Sequence, residues 1–384
     1  MLIKIEKLVY GGFGLARTDG GVVFVGRTIP GELIEAEIVE RKKDYAIARL
    51  IEVLEPSEDR REPYCPNFET VGCCHWDHIA YERQRALKKD ILLESLERGG
   101  KIESPEPIRH IYGPEREYRL RASFHVRDRR LGFMDEGKNG VVTIDRCAAL
   151  MPPLNRFIRE ASEALSQPGL DGTTSVRAVA SPETGEVAAT FLRGRECARW
   201  PGRNPTTHVG GIEYRLDPDS FFQPNQFLLE QLVSAVVNAA GSPKVTLDLF
   251  CGSGFFSLPL AKLSSRLVGI DRRSIRTAEW NARRNRIANV AFVKSSAWAF
   301  LVNSDIRPDL VVMDPPRTGA GRNIAKRVAT PGAARIIYVS CNPTTFAPEA
   351  RLLLEAGYTL SSITFIDQFP NSHHIETIGL FQRA

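Results

Sequence analysis

The chain has 384 residues, of which 43% are hydrophobic and 25% charged, a composition typical of a folded protein with two or three domains. Its 51 Lys and Arg residues exceed its 46 Asp and Glu residues by only 5, which excludes a histone-like polyanion binder and requires any nucleic-acid contact to come from local clusters. No stretch approaches the roughly 20 apolar residues of a membrane span, and the N-terminus lacks a signal peptide's apolar core. We therefore expect a cytoplasmic protein without a membrane partner.

Residues 1–56 predict a small antiparallel β-barrel. Runs such as LIKIEKLVY and LIEAEIVERK alternate apolar and polar residues, and Gly-Gly, Asp-Gly-Gly and Pro-Gly pairs separate the runs. A charged connector that contains prolines follows. Residues 78–98 then place apolar side chains at helical spacing, and we expect this helix to pack on the C-terminal domain.

Residues 57–222 predict a mixed, mostly β central domain. Short strand patterns recur in YRLRASFHV, RLGFMD, GVVTID, SVRAVAS, VAATFLRG and GIEYRLD, and one helical stretch lies near Pro153 to Leu165. From residue 223 to residue 384 strands and helices alternate. This alternation predicts an α/β domain with a doubly wound, largely parallel sheet.

The run VTLDLFCGSGFF predicts a ligand pocket at the carboxyl end of a sheet strand. It places Asp248, Phe250, Gly252 and Gly254 where a helix begins, and glycines there let a nucleotide-like ligand approach the backbone. Asp271 ends the strand RLVGID at the offset typical of a carboxylate that binds ribose hydroxyls. Any nucleotide binder fits this pattern, although G-x-G-x-x-G is incomplete and a dinucleotide is disfavoured.

Two further strand ends carry reactive side chains. Asp314 ends VVMD and is followed by two prolines that hold the loop extended, so its carboxylate is expected to point into the same crevice. Cys341 follows the strand RIIYVS. A strand-end cysteine is usually a small buried hydrophobe, but its place beside the Asp-Pro-Pro loop favours a nucleophile.

The order D-L-F-C-G-S-G, D-P-P-R, S-C-N-P and H-I-E-T resembles the RNA 5-methyluridine methyltransferase family of the 23S ribosomal RNA type, over essentially the whole chain. The N-terminal barrel resembles that family's TRAM domain, an OB-like RNA-binding module, and FFQPNQ resembles its F-x-Q-x-N element. The resemblance implies a Rossmann-like domain that uses S-adenosylmethionine.

The resemblance also implies a role for each matching residue. Cys341 is the nucleophile, Glu376 the base, and Asp314 lies near the uracil. Gln223 lies at the methionine end of the cofactor and at the uracil, and Asp271 binds the ribose. The chemistry needs these types because carbon 5 of uracil is a poor nucleophile until a thiolate adds to carbon 6, after which a base removes the carbon 5 proton.

Three other side chains near these motifs have two readings each. His373 and His374 compete with Glu376 for the role of base, or are surface or hydrogen-bonded histidines. Arg317 steadies the thiolate or binds phosphates, or forms an ordinary salt bridge.

Four cysteines resemble the ligands of a [4Fe-4S] cluster in this family: Cys65, Cys73, Cys74 and Cys147. The spacing departs from the family pattern, because Val71 stands where a cysteine is expected and Cys73 replaces a glycine. The alternatives are zinc held by cysteines with His75 or His78, or cysteines that bind no metal.

Residues 109–133 interleave arginines with aromatic residues, the pairing that binds phosphates and stacks on unpaired bases. The predicted RNA contacts are Arg119, Arg121, Arg127 and Arg130. We expect ribosomal RNA in preference to transfer RNA, and a monomer. An amino-group methyltransferase acting on adenine or guanine, and a non-catalytic RNA-binding assembly factor, are the rival functions.

Overall fold

The computed structural model describes residues 1–105, 107–330 and 332–383. These residues form two compact units. The first unit contains Met1–Glu94, Phe133–Val142 and Phe369–His374, and the second contains Ser95–Gly132, Thr143–Gln368 and Ile375–Ala384. None of the helices in the described ranges is long and apolar enough to span a membrane.

The first unit begins with a six-stranded barrel in the order β1-β5-β6-β4-β3-β2. The strands are β1 Leu2–Lys4, β2 Lys7–Leu8, β3 Phe13–Thr18, β4 Gly21–Gly26, β5 Leu33–Arg41 and β6 Tyr45–Glu55. The backbone N–H of Ile5 donates to Glu32 O and that of Glu6 donates to Leu15 O, so the first segment bonds to both edges of the sheet and closes it. The alternation predicted from the sequence encloses an apolar core that includes Val23, Val25 and Ile34. One pairing differs from the prediction, because β4 and β6 run parallel.

Helix α1 Tyr81–Glu94 follows, and a π-helical turn, Ser95–Gly100, continues it into the second unit. Within the first unit α1 contacts the segment Phe369–His374. Gln84 Nε2 donates to Asn371 Oδ1 at 2.8 Å, and Lys88 Nζ donates to Phe369 O at 2.9 Å. In the second unit the π-helical turn lies against the last long helix, since a Cβ at Gly100 would lie 2.8 Å from Ala347 O.

A six-stranded sheet has the order β10-β9-β8-β11-β12-β13, and all of it except parts of β9 and β10 belongs to the second unit. A short strand, β7 Arg109–Ile111, precedes it; the sheet itself comprises β8 Arg121–Arg127, β9 Arg130–Met134, β10 Val141–Thr143, β11 Ser175–Ala180, β12 Val187–Arg193 and β13 Glu196–Arg199. Helix α2 Pro152–Ala164 buries Leu154, Phe157 and Ile158 at helical spacing. Phe157 packs on Phe191 of β12, so one face of this sheet is covered and the other carries polar residues.

The second unit also has an eight-stranded sheet in the order β18-β17-β16-β19-β20-β22-β21-β7. Its further strands are β16 Val245–Leu249, β17 Arg266–Asp271, β18 Val290–Lys294, β19 Leu310–Met313, β20 Arg335–Ser340, β21 Tyr358–Ile366 and β22 Glu376–Arg383; its helices are α3 Leu229–Ala240, α4 Ser257–Ala261, α5 Arg276–Arg284, α6 Ala297–Asn303, α7 Arg322–Ala329 and α8 Pro343–Glu355. Strands β16 to β20 pair in parallel, as predicted for a doubly wound sheet. Strands β16, β17, β19 and β20 are apolar and largely buried, whereas the edge strand β18 is partly exposed.

Two features of this sheet, and the packing of a separate hairpin, were not predicted. Strand β22 inserts antiparallel between β20 and β21. Strand β7 pairs with β21 at the edge, although its residues precede the central sheet in the chain. A hairpin of β14 Thr206–Val209 and β15 Ile212–Arg215 packs on α5, where Asn281 Oδ1 accepts from Arg215 N at 2.9 Å. The predicted division into 1–56, 57–222 and 223–384 stays a prediction.

Candidate active site

The register of β20 against β22 places the predicted nucleophile and base opposite each other. Ser340 pairs with Thr377 in an antiparallel ladder, so the next pair is Cys341 with Glu376. Directly opposed residues of an antiparallel pair have Cβ atoms about 5 Å apart on one face of the sheet. Asp314 follows β19, the neighbour of β20, so its carboxyl joins them at the same sheet edge.

The Cys341 thiol is surrounded by acids. Burial and the negative charges of Glu376 and Asp314 together raise the pKa of Cys341 to about 12, against the opposing positive charge of Arg317. A thiol with this pKa is neutral at neutral pH. It therefore becomes nucleophilic only when a neighbouring group takes its proton or a cation stabilises the thiolate.

The two acids also hold protons. Glu376 is 4% exposed, and burial together with the Asp314 charge raises its pKa well above the usual range, while Arg317 lowers it. Burial raises the pKa of Asp314 to about 7, with a further contribution from Asp248. Gln223 Nε2 donates to Asp314 Oδ2 at 3.0 Å and favours the charged form. Titratable groups with perturbed pKa values in one crevice are typical of catalytic sites.

The predicted cofactor residues lie at the ends of β16 and β17. Asp248 is 1% exposed; Ser257 Oγ donates to its Oδ2, and its Oδ1 has no partner among the residues described. Burial raises the pKa of Asp248 to about 7. The chain then turns through Phe250 at a φ of 66°, a left-handed conformation that is strained for phenylalanine. A buried acceptor without a partner and a strained turn are both compatible with a ligand that binds here.

Asp271 and Gly252 are joined by a hydrogen bond, in which Gly252 N donates to Asp271 Oδ2 at 3.0 Å. Arg273 N donates to Asp271 Oδ1 at 2.6 Å, which fixes the carboxylate at the strand end. A Cβ at Gly252 would meet no atom within 4 Å, so this glycine borders open space. Gly254 is different, because a Cβ there would lie 3.3 Å from Phe292 Cζ, and packing alone accounts for this glycine. These residues fit an adenosine-type cofactor at the β16 and β17 ends.

The predicted RNA-binding arginines fall into two places along β8. Arg121 begins the strand, and Arg127 ends it about 20 Å away at 3.3 Å per residue. Arg121 Nη1 donates to Phe222 O at 3.2 Å, and its guanidinium lies 5.4 Å from the Phe221 ring centroid. At the other end Arg127 pairs with Asp128 at 3.5 Å and Arg130 with Asp145 at 2.6 Å.

Arg121 is the centre of a local positive cluster. Burial, together with the positive charges of Arg119, Arg177 and Arg273, lowers its pKa to about 10. Arg119 Nε donates to Arg121 O at 3.1 Å. Like charges gathered around a half-buried guanidinium favour an anionic ligand. The structure thus brings Arg119 and Arg121 to the segment that carries Gln223, and places Arg127 and Arg130 away from it.

The cysteines predicted to bind metal do not form a complete site. Cys73 Sγ and Cys74 Sγ lie 3.7 Å apart, and Cys65 is buried, with its backbone N–H donating to Asp77 Oδ2 at 2.7 Å. Cys147 belongs to the second unit. Within the described ranges no three Cys, His, Asp or Glu side chains are grouped in a way that could hold a metal ion. That these cysteines bind a [4Fe-4S] cluster therefore stays a prediction.

The histidines near these cysteines also form no metal site. His75 Nδ1 lies 3.2 Å from His373 Nδ1, and the ring of His374 lies 4.2 Å from that of His373. His78 is buried against Phe68, with ring centroids 5.3 Å apart. His75 and His78 therefore do not complete the zinc alternative among the residues described.

Three hydrogen-bond donors that hold the predicted site residues in place were not predicted from the sequence. Ser257 donates to Asp248, the backbone of Arg273 fixes Asp271, and Asn342 Nδ2 donates to Arg317 O at 3.0 Å. The last could have been found, since Asn342 belongs to the same S-C-N-P run as Cys341. The others depend on which loops meet, which no local pattern encodes.

Comparison with known proteins identifies the family. A family model described as "tRNA (Uracil-5-)-methyltransferase" matches residues 207–384, and one described as "TRAM domain" matches residues 1–51. An RNA methyltransferase of Aquifex aeolicus is 35% identical over 99% of this chain and 98% of its own. The protein named 23S rRNA (uracil(1939)-C(5))-methyltransferase RlmD of Aeromonas hydrophila is 31% identical over 99% of this chain and 95% of its own.

A solved structure shares the fold. The tRNA (uracil-54, C5)-methyltransferase of Pyrococcus abyssi, in complex with S-adenosyl-L-homocysteine, superposes with a TM-score of 0.77 and 23% identity, covering 99% of this chain and 100% of its own. The predicted fold class, a Rossmann-like domain with a TRAM barrel and a mostly β central part, is confirmed. The predicted class of enzyme is confirmed as well. The chain belongs to the family of RNA (uracil-5-)-methyltransferases.

Proposed function

We propose that this protein methylates carbon 5 of a uridine in 23S ribosomal RNA, with S-adenosylmethionine as methyl donor, through a covalent bond between Cys341 and carbon 6. The observation that carries the assignment of residues is the β20 and β22 register, which sets Cys341 opposite Glu376. A nucleophile and a base on one face of a sheet can reach adjacent carbons of one ring.

Each side chain has one task in this scheme. The Cys341 thiol gives its proton to the Asp314 carboxylate, whose pKa is about 7, and the thiolate adds to carbon 6. The displaced electron pair moves to the oxygen on carbon 4, so that carbon 5 becomes nucleophilic. S-adenosylmethionine supplies the electrophilic methyl group at this carbon. The Glu376 carboxylate then removes the carbon 5 proton. The electron pair of that bond restores the ring double bond and expels the Cys341 thiolate.

The remaining site residues hold the two substrates. Asp271, fixed by the backbone N–H groups of Gly252 and Arg273, is placed to accept hydrogen bonds from ribose hydroxyls. Gln223 and Asp314 are joined by a hydrogen bond and would contact the uracil and the methionine end of the cofactor. Asp248 lies at the end of β16 just before the turn through Phe250 and Gly252, and its Oδ1 has no hydrogen-bond partner among the described residues.

The outward face of the central sheet supports single-stranded RNA as the substrate. Arg177 of β11 pairs with Thr190 of β12, which pairs with Arg199 of β13, so both arginines share the face of Arg121. Asp217 and Asp219 neutralise part of this charge through ion pairs with Arg177 and Arg199. Phe221 is 53% exposed beside Arg121 and offers a ring on which a base can stack.

Ribosomal RNA is proposed as the target because the named relatives that are about 30% identical over nearly the whole chain are 23S ribosomal RNA enzymes. Transfer RNA is the alternative, in keeping with the name of the Pyrococcus abyssi structure. In either RNA the target uridine must leave its stack, because the thiolate approaches carbon 6 from the face of the ring.

Trapping with 5-fluorouridine tests the covalent mechanism. Fluorine at carbon 5 cannot be removed as a proton, so a methylated adduct accumulates and survives a denaturing gel. We expect an adduct with the wild-type protein and none with Cys341→Ala. An amino-group methyltransferase would give no adduct and no 5-methyluridine. Transcripts of 23S ribosomal RNA and of transfer RNA, assayed side by side by mass mapping, decide the target.

The predicted metal takes no part in these steps. That Cys65, Cys73, Cys74 and Cys147 bind a [4Fe-4S] cluster stays a prediction, which iron, sulfide and zinc analysis of anaerobically purified protein would test. Iron and sulfide in equal amounts would support the cluster, zinc would favour the alternative, and neither would contradict both. The monomeric state and cytoplasmic location also stay predictions, for light scattering and cell fractionation to check.

A further inference from the structure

The loop 315–321, which follows Asp314 and carries Arg317, is anchored by a buried carboxylate. Glu349 of α8 is 5% exposed. Its Oε2 accepts from Ala320 N at 3.0 Å and from the Tyr338 hydroxyl at 2.7 Å, and its Oε1 accepts from Gly321 N at 2.9 Å. Three donors converge on this side chain, which none of the catalytic steps above uses.

The loop approaches this carboxylate so closely that residue 319 has no room for a side chain. Gly319 has a φ of 80°, and a Cβ there would overlap Glu349 Oε1. Glycine is therefore required both for the backbone conformation and for the close approach. Glu349 also lies at the N-terminus of α7, where a negative charge is favourable.

A second bond ties the same loop to the segment that carries the nucleophile. Asn342, next to Cys341, caps α8 by accepting from Thr344 N at 3.0 Å. The other end of its amide, Nδ2, donates to Arg317 O at 3.0 Å. The loop is thus held at Arg317 by the residue after the nucleophile, and at residues 320–321 by α8, which begins two residues after the nucleophile.

These hydrogen bonds fix the backbone of the loop that carries the charged side chain of Arg317. Its positive charge lowers the pKa of Cys341 and that of Glu376, against burial and the charge of Asp314. A small displacement of the loop would withdraw this charge from both groups.

We propose that Glu349 is a positioning residue, which with Asn342 holds the loop 315–321 so that the Arg317 guanidinium stays beside Cys341 and Glu376. Glu349 touches neither substrate nor cofactor, and its effect on the reaction passes through Arg317. This inference rests on the proposed function for its meaning in catalysis, but the positioning itself is a property of the free protein.

The test is the rate at which iodoacetamide alkylates Cys341 as a function of pH, followed by mass spectrometry of the peptide that contains it. In Glu349→Gln an amide replaces the carboxylate that accepts three hydrogen bonds. The amide NH₂ group then faces a donor and cannot accept its hydrogen bond. We expect alkylation at pH 8 to slow by about threefold to tenfold, as for a thiol whose pKa rises by about half to one unit. Glu355→Gln, an exposed change on the same helix, is the matched control and should leave the rate unchanged.

A double-mutant cycle separates positioning from a general structural effect. Arg317→Met should slow alkylation to a similar extent, and adding Glu349→Gln to it should slow alkylation no further. In turnover assays Glu349→Gln should lower kcat and leave the KM for RNA nearly unchanged. If Glu349→Gln fails to fold by circular dichroism, Tyr338→Phe and Gly319→Ala disturb the same anchor from its other two sides and carry the test.

An alkylation profile of Glu349→Gln that matches the wild type, or slowing that adds fully to that of Arg317→Met, would overturn the proposal. Alkylation needs neither RNA nor cofactor. A missing fluorouridine adduct would therefore defeat the proposed function and leave this test intact.

Discussion

Replacing Glu376 with glutamine should make the Cys341 thiol more acidic and yet stop turnover. The register sets the two side chains opposite each other, with Cβ atoms about 5 Å apart. At that separation and an effective dielectric constant of about 20, a carboxylate disfavours a thiolate by about 3 kcal/mol. This corresponds to about 2 pKa units at most, and we expect the pKa of Cys341 to fall from about 12 by one to two units.

The assay follows iodoacetamide alkylation of the Cys341 peptide by mass spectrometry between pH 7 and pH 10.5. The difference between variant and wild type should be largest where Glu376 is ionised in the wild type, and there alkylation of Glu376→Gln should be about tenfold faster or more. Methyl transfer by the same variant should fall by about 10²-fold to 10⁴-fold, because no base removes the carbon 5 proton. Glu355→Gln serves as the surface control.

The two readouts move in opposite directions, and this makes the reasoning easy to refute. An unchanged alkylation profile would mean that the carboxylate does not face the thiol. Normal turnover would mean that another group removes the proton. A loss of both alkylation and turnover at an unchanged melting temperature would contradict the stated geometry, whereas a lowered melting temperature would mark a disturbed fold and call for Glu376→Asp as the second variant.

Three further predictions follow from buried groups and close contacts. Burial raises the pKa of Asp248 from 3.8 to about 7, so the folded state keeps a proton that the unfolded chain releases, and the free energy of unfolding falls as pH rises through this range. Asp248→Asn should lessen that fall. If the melting temperature changed equally between pH 5 and pH 8 in the variant and in the wild type, the prediction would be contradicted. Arg121→Ala should weaken RNA binding and reduce the slope of log K against log salt by about 0.7, which titration at several salt concentrations measures. Gly100→Ala should lower stability by about 1–3 kcal/mol in a denaturant titration, since its Cβ would press on Ala347 O, and an unchanged midpoint would contradict that contact.

Much of the fold could be predicted from local pattern. Apolar and polar residues alternate along β1 to β6, and the residues of β16 to β20 are mostly apolar, so each strand could be recognised from its own residues. The short helices α6 and α7 were missed, since seven or eight residues give too few helical turns to establish a period. The strands of the C-terminal tail were missed because the resemblance, and not a strand pattern, drew attention to Glu376.

The candidate site was predicted as a set of residue types at strand ends. Asp248, Asp271, Asp314 and Cys341 lie at the ends of four strands that are consecutive in the sheet order, as expected for an α/β crevice. The RNA-binding arginines were predicted as one group, and β8 separates them because an extended strand carries residues six positions apart to opposite ends. The cysteines were predicted as one site, but no three metal-binding side chains of the described residues are grouped as such a site requires.

The sequence by itself determined the elements and the chemistry available at their ends, because strand periodicity, glycine turns and the D-P-P and S-C-N-P runs are local. Only the tertiary structure decided which of those ends meet. Strand β22 lies antiparallel beside β20, and their register, continued by one pair beyond Ser340 and Thr377, places Glu376 opposite Cys341. Likewise Glu349, eight residues after Cys341 in the chain, meets the loop of Arg317 only because α7 and α8 are neighbours in space. Pairing and packing between distant segments depend on complementary surfaces that no single segment contains.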